Sequence, residues 1–547
     1  MVTSHRETLD TAVRTIRSRA YWSPHPELPR AYEDDGEAAF AALRDRPFEL
    51  DQPGTDGRTG GEVSPYGFPL GIDYPHADPD VLLPAMRAAL PGWRAAGAET
   101  RALTCLEILR RINARSPEFA RAVMHTTGQA YGMAFQAGGP HAQDRALEAV
   151  AHAYAEQTRT PARAEWTKPQ GKREPLRLAL EFVPVPRGIS LLIGCNTFPT
   201  WNGYPGLFAS LATGNPVLVK PHPRAVLPLA LTVRVARETL AEAGFDPNLV
   251  ALAAERDGEG IARTLALREE IRLIDYTGSA AFGDWLETHA RQARVFTEKS
   301  GVNTVLVDST DDYAGMLANL AFSLSLYSGQ MCTTPQNLLI PRGGIETDTG
   351  HRSFDEVVAD LAAAVTRLLA DEKRAVALLG AIVNPGVLDR LAAAERSGEI
   401  ALASRSLPHP EFPGATVRTP LIVRLDAADP ATAPVWRGEC FGPVSYALAV
   451  DSTAEALAVL RRTLTERGAM TVLGHTTSPS VAAELTEVCL DTSAQLSLNL
   501  TGGVYINQTA AFADLHGSGG NPAANAALVD AAYVAPRFTT VEIRRPA

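Results

Sequence analysis

Apolar positions along the chain recur at two periods. The first 20 residues read as a polar amphipathic helix, and residues 21–80, rich in Pro, Gly and Asp, as an extended arm with loops. From Asp80 to about Glu156 the spacing becomes helical. Val81, Leu82, Met86, Leu90 and Trp93 form one stripe, and Leu103, Leu106, Leu109 and Ile112 another. Residues 157–185 change period again. Lys168-Pro169-Gln170-Gly171-Lys172 reads as a turn between two extended segments, the second at 176–185, which predicts a β-hairpin arm. Beyond Pro186 short apolar strands alternate with helices. Strands are expected at 189–193, 216–219 and 271–276, and helices at 199–212, at 227–243 and from the turn Thr277-Gly278-Ser279 to His289. Such alternation predicts an α/β fold whose parallel sheet carries helices on both faces. A second series begins with a strand at 303–307 and helices at 313–325 and 354–369. At the end of the chain, 538–544 alternates as a strand that has to pair with the hairpin or with another subunit.

The length of 547 residues allows two to four domains with large cores. A content of 45% hydrophobic and 21% charged residues describes a folded globular chain. The formal net charge of −11 argues against general nucleic-acid binding, which needs a basic face, but leaves room for an anionic ligand at loops and helix ends. Five widely spaced cysteines without a CxxC pair disfavour a disulfide framework or a zinc cluster and fit a reducing cytoplasm. The first 20 residues are charged throughout and show no secretory signal, and no apolar run is long enough to predict a membrane span. The twelve histidines include no HExxH spacing, so no metal site is expected.

Cys332 carries the chemistry. It lies in Tyr327-Ser328-Gly329-Gln330-Met331-Cys332-Thr333-Thr334-Pro335, 34 positions (332 minus 298) after Glu298 in Phe296-Thr297-Glu298-Lys299-Ser300-Gly301. A thiol in a small-residue loop with a carboxylate upstream suits covalent catalysis on a carbonyl: the thiolate attacks, and the carboxylate later activates water. Gly194-Cys195-Asn196-Thr197-Phe198-Pro199 stands between a strand and a helix, where an amide or hydroxyl can donate to an oxyanion. It also reads as a plain turn. Lys220 ends an apolar strand, where its ammonium can meet a ribose or phosphate or simply be solvated. Thr277-Gly278-Ser279 puts a glycine and a hydroxyl at a helix start, a phosphate site or an ordinary N-cap. Glu439-Cys440-Phe441-Gly442-Pro443-Val444 sets a carboxylate and a ring beside a tight turn.

Taken together, these segments resemble the aldehyde dehydrogenase superfamily from about residue 80 to the C-terminus. The resemblance implies a Rossmann-type cofactor domain (1–160 and 186–297, with the N-terminal arm), an α/β catalytic domain (298–520) and a small β oligomerisation arm (161–185 and 536–547). It implies Cys332 as nucleophile and Glu298 as general base for thioester hydrolysis. Lys220 would contact the adenosine ribose, with His222 and Arg224 adjacent. Thr277, Gly278 and Ser279 would meet the pyrophosphate, and Glu439 and Phe441 the nicotinamide ribose and ring. A homodimer or homotetramer is implied by the C-terminal strand.

Three departures from the family pattern matter. Thr197 stands where the oxyanion asparagine is usual and Asn196 just before it, so either serves. Pro223 replaces the acid that would repel a 2′-phosphate, which places NADP ahead of NAD. Glu298-Lys299-Ser300-Gly301 keeps only the carboxylate and one glycine of the usual Glu-Leu-Gly-Gly. The long N-terminal arm and the segments around Cys195 and Cys332 look most like the phenylacetic acid degradation (PaaN-type) branch, which implies a ring-opened semialdehyde, CoA-linked, as substrate. Two rivals stand beside this reading: a CoA-acylating aldehyde dehydrogenase, disfavoured by Glu298, and an inactive binding protein on the same scaffold.

Overall fold

The computed structural model describes residues 2–547 except Asp34, Asp257 and Ser300. Two parallel sheets and a three-stranded ribbon organise the chain. In the first sheet the strands lie in the order Arg294–Lys299, Ile271–Gly278, Ile189–Ile193, Val217–Lys220, Val250–Leu252, all parallel. The chain runs outward from Ile189–Ile193 on one side and then returns to its other side. The order therefore reverses between Ile189–Ile193 and Ile271–Gly278, and in sheets of this kind ligands enter at the carboxyl ends beside such a point. Every residue of Ile189–Ile193 and Val217–Lys220 is buried, which is why these strands read as short unbroken apolar runs rather than alternating ones.

The second sheet places Val444–Val450, Asn337–Pro341, Thr304–Val307, Val472–His475 and Leu496–Leu498 in parallel. Leu421–Asp426 joins in parallel, and Glu399–Leu402 closes that edge antiparallel. Its helices begin at side-chain caps, including a Ser353–Glu356 capping box on Phe354–Leu368 and Ser452 on Thr453–Arg467. Helix Pro199–Ala212 is buried along its whole length, with Pro199 at its first turn. Gly206 faces Asp275 so closely that a Cβ there would meet the carboxylate carbon at 2.5 Å. Among the described residues no helix is long and apolar enough to cross a membrane.

The structure departs from the sequence expectations in three places. The arm contains a helix, Gly36–Leu43, capped by Asp35, whose side chain accepts from the Ala38 N–H. Thr277 and Gly278 are not a turn but the last two residues of a strand, paired with Glu298 and Lys299. The strand Arg294–Lys299, which carries Glu298, was not foreseen because its apolar positions are few. The hairpin forms as expected, Arg163–Gln170 against Arg173–Pro186. The final strand, Phe538–Pro546, takes the hairpin of its own chain as partner, from Phe538 opposite Pro186 to Pro546 opposite Leu178.

Candidate active site

The loop bearing Cys332 is held from all sides. Tyr327, Ser328 and Gly329 have φ of 52°, 50° and 63°, three successive left-handed residues. Such backbone costs energy for the two non-glycines and persists only where surroundings enforce it. Here the Tyr327 hydroxyl donates to the Thr127 carbonyl, and Ser328 Oγ donates to the carbonyls of Leu379 (3.1 Å) and Arg418 (2.9 Å). Gly329 packs against Gly442 with no room for a Cβ. Asn303 then ties the loop to the second sheet. Its Nδ2 donates to the carbonyls of Cys332 (2.7 Å) and Thr334 (3.1 Å), while its Oδ1 accepts from Met470 and Thr471 N–H.

Three side chains meet above this loop. His516 Nε2 lies 3.5 Å from Cys332 Sγ and 3.0 Å from Glu298 Oε1. Asn202 Nδ2 donates to the other carboxylate oxygen, Oε2, at 2.9 Å. Glu298 is 6% exposed and His516 3%. Burial, reinforced by the Glu298 carboxylate, pushes the Cys332 thiol well above its ordinary range. Burial also works to raise Glu298. The charge and hydrogen bond of His516, with the contacts from Cys332 and Asn202, outweigh it and hold the carboxyl below its ordinary value.

Cys332 opens on a cavity of about 680 Å³ walled by Trp22, Met133, Phe198, Trp201, Phe322 and Tyr505, among others. The N-terminal arm supplies part of this wall. Trp22 packs edge-on to Phe512 at 5.4 Å, His25 pairs with Asp144 at 2.6 Å, and Glu27 with His141 at 3.2 Å. On the other side of the cluster, Glu298 and Asn202 also line a cleft with Gly194, Cys195, Tyr276 and Thr277. That space, about 20 Å³, sits toward the carboxyl ends of the strands where the sheet order reverses, the place at which sheets of this kind gather ligands.

Of the remaining sequence candidates, Thr277 lines that space, and the others lie outside its lining. Lys220 ends its strand with Nζ 2.5 Å from Glu255 Oε1, both side chains buried. His222 follows, its imidazole pushed down to about 4 by burial, its Nδ1 accepting from the Arg224 N–H at 3.2 Å; Arg224 itself is exposed. Ser279 is the N-cap residue of Ala280–His289, and its carbonyl accepts from the Tyr276 hydroxyl at 2.9 Å. Glu439 is exposed and Phe441 half-buried. Gln336 ties their segment to the Cys332 side, donating to Gly438 O (2.9 Å) and accepting from Cys440 N–H (2.7 Å). Ser300 lies outside the described residues. Asn196 and Thr197 are not brought to the thiol's cavity. Asn196 Nδ2 donates to the Thr126 carbonyl at 3.3 Å, the Thr197 carbonyl accepts from Gln129 Nε2 at 2.7 Å, and the cavity is lined instead by Phe198, Trp201 and Asn202.

Sequence reasoning missed Asn202, Glu255, Asn303 and His516. Asn202 carried a usable signal, a lone amide inside an otherwise apolar helix. His516, 184 positions from Cys332 in a glycine-rich loop, carried none.

The chain matches the model of the aldehyde dehydrogenase family over residues 73–521. It is 53% identical to a solved NAD-dependent aldehyde dehydrogenase from Burkholderia multivorans, covering 100% of this chain and 99% of that one with a TM-score of 0.97. It is 27% identical to N-succinylglutamate 5-semialdehyde dehydrogenase of Chromobacterium violaceum, over 71% of this chain and 74% of that protein. The 1-pyrroline-5-carboxylate dehydrogenase of Thermus thermophilus shares the fold at 18% identity, with a TM-score of 0.73 and coverage of 96% and 99%. With a half-buried thiol set beside a buried carboxylate, the match over most of its length makes this chain a member of the aldehyde dehydrogenase family.

Proposed function

We propose that this chain oxidises a bulky aldehyde to a carboxylic acid, with NAD as the electron acceptor. One observation carries the reading: Cys332 opens on the large cavity, and His516 joins it to Glu298, which lies toward the carboxyl end of the first sheet beside its strand-order reversal. A substrate carbonyl at the thiol would thus meet both the cofactor and a group able to activate water.

Cys332 Sγ attacks the aldehyde carbon, and its own backbone N–H can donate to the resulting oxyanion. For Asn196 to help, its amide would have to leave Thr126. A nicotinamide, when bound, would supply the acceptor for the hydride that the substrate carbon loses. Glu298, held by Asn202, then draws a proton from water, and the water cleaves the thioester to release the acid. Thr277, Gly278 and Ser279 would hold the pyrophosphate, Lys220 the adenosine ribose, and Glu439 and Phe441 the nicotinamide ribose and ring. Product analysis with and without coenzyme A tests the hydrolytic route. Free acid in both conditions is expected; an acyl-CoA product would replace the reading with the acylating one.

The cofactor reading reverses the preference drawn from Pro223. Glu255 brings a carboxylate to Lys220 from the neighbouring strand end, so the acid absent at position 223 is present in space. A buried carboxylate beside the ribose accepts its hydroxyls and repels a 2′-phosphate. The NAD-dependence of the Burkholderia multivorans relative supports the same choice. Fluorescence titration of the protein with each dinucleotide tests it. NAD should bind at least about tenfold more tightly than NADP, and Glu255→Gln should narrow the gap; tighter NADP binding would reverse the assignment.

The aromatic and thioether walls of the cavity support a ring-derived substrate, in line with the resemblance to the phenylacetic acid degradation branch. The free state of all five cysteines supports a reducing cytoplasm. Exposed Trp166, Leu176, Val541 and Ile543 on the ribbon support a homodimer or homotetramer, which light scattering would read directly.

A further inference from the structure

We propose that His516 is a catalytic residue of this site: its imidazolium, hydrogen-bonded to Glu298, stands against the Cys332 sulfur and holds it as the thiolate. This rests on the functional reading above and adds a third reacting side chain to it.

The argument begins with a conflict. A thiol must ionise to attack, yet here it is half-buried beside a carboxylate that is already charged. Two anions in contact inside a protein are strongly disfavoured. A cation standing between them resolves the conflict, and His516 Nε2 stands 3.5 Å from Sγ and 3.0 Å from Glu298 Oε1. The three donor atoms lie within 4.8 Å of one another. Ionisation breaks the S–H bond and passes the proton to water in the cavity, which Cys332 and His516 both line. With Nε2–H donating to Glu298, the product is a thiolate–imidazolium–carboxylate triplet with one net negative charge.

The imidazole is positioned for this role. The His516 N–H donates to the Leu528 carbonyl at 2.8 Å, and its carbonyl accepts from the Leu528 N–H at 2.9 Å, fixing the backbone. Trp201 packs edge-on against the ring at 4.7 Å. Further charges lie one shell out: Arg145 over the Trp201 ring at 5.5 Å, and Asp514 bonded to Arg145. Cys195 also acts on the Cys332 thiol, in the direction that disfavours its thiolate.

The test is the pH profile of iodoacetamide alkylation at Cys332, read by mass spectrometry of its peptide, with a chelator present and without substrate. The wild-type rate at pH 7 is the reference. His516→Gln should slow alkylation at pH 7 at least about tenfold and move the midpoint upward by about one unit or more. Melting temperature and NAD binding serve as controls for folding. His516→Ala with added imidazole should recover part of the rate. An unchanged profile in a folded His516→Gln protein would overturn the proposal and leave His516 a packing residue. The outcome is separable from that of the functional reading. A profile that shifts in a protein that oxidises no aldehyde sinks the functional reading alone. An aldehyde dehydrogenase whose profile does not move sinks only the role of His516.

Discussion

Arg537 grips Asp275 with both terminal nitrogens, at 2.7 and 2.6 Å, in a fully enclosed site. The Tyr533 hydroxyl donates to the same carboxylate at 2.7 Å, and Arg537 Nη1 also donates to Ser210 Oγ at 2.7 Å. The pair anchors the segment before the final strand to the middle of the first sheet. Removing one partner strands a buried charge, which typically costs about 3–5 kcal/mol. Asp275→Ala and Arg537→Ala should each lower the melting temperature by many degrees, and the double variant should lose less than the sum of the two. Additive losses in denaturant titration would show that the pair does not act as a unit.

Asn202 is expected to act on hydrolysis through Glu298. Its hydrogen bond to a charged acceptor is worth about 1.5–3 kcal/mol. Asn202→Ala should therefore lower kcat about tenfold or more while leaving KM for aldehyde nearly unchanged. Stopped-flow traces should retain a rapid first turnover. A proportional rise in KM with unchanged kcat would place Asn202 in substrate binding instead.

Trp22 belongs to an arm that lies outside residues 73–521, the span of the family match, yet walls the cavity. Trp22→Ala should weaken kcat/KM for aromatic aldehydes about tenfold and leave acetaldehyde turnover almost unaffected. Equal losses for both substrates, measured side by side, would mean that the arm supports folding rather than selection.

Glu62 links the arm to the first sheet's helices. Its carboxyl accepts from the N–H groups of Val226 and Leu227 and from the Tyr74 hydroxyl, and burial pushes it up to about 7. A carboxyl whose folded pKa lies above the unfolded value binds its proton more tightly when folded. Its contribution is greatest below the ordinary carboxyl value of 4.5, and is lost as pH rises through about 7. The loss amounts to at most about 3 kcal/mol. Urea unfolding across this range should show Glu62→Gln gaining stability relative to wild type as pH rises. A constant difference would mean that Glu62 does not titrate there.

Much of the first sheet was legible because buried parallel strands and amphipathic helices write distinct patterns. Pro199–Ala212 and Tyr313–Ser325 begin and end where the sequence predicts. The strand Arg294–Lys299 escaped because an edge strand holding Thr297, Glu298 and Lys299 lacks an apolar run. The Cys332 and Glu298 segments were readable because each carries its chemistry in a short motif. Glu255 and His516 were not, since each reaches the site through folding from a segment with no local signal. The Pro223 reading took no account of Glu255 for the same reason: a carboxylate brought to Lys220 from another strand leaves no trace at position 223.

The central claim is that Cys332 carries the substrate as a thioester that Glu298 helps to hydrolyse. The most direct measurement is intact-mass and peptide mass spectrometry of Glu298→Gln protein quenched after mixing with NAD and an aromatic aldehyde. The account predicts one acyl adduct per chain, located on the Cys332 peptide, formed together with about one equivalent of NADH. Steady turnover without an adduct, or an acyl group on another cysteine, would contradict it.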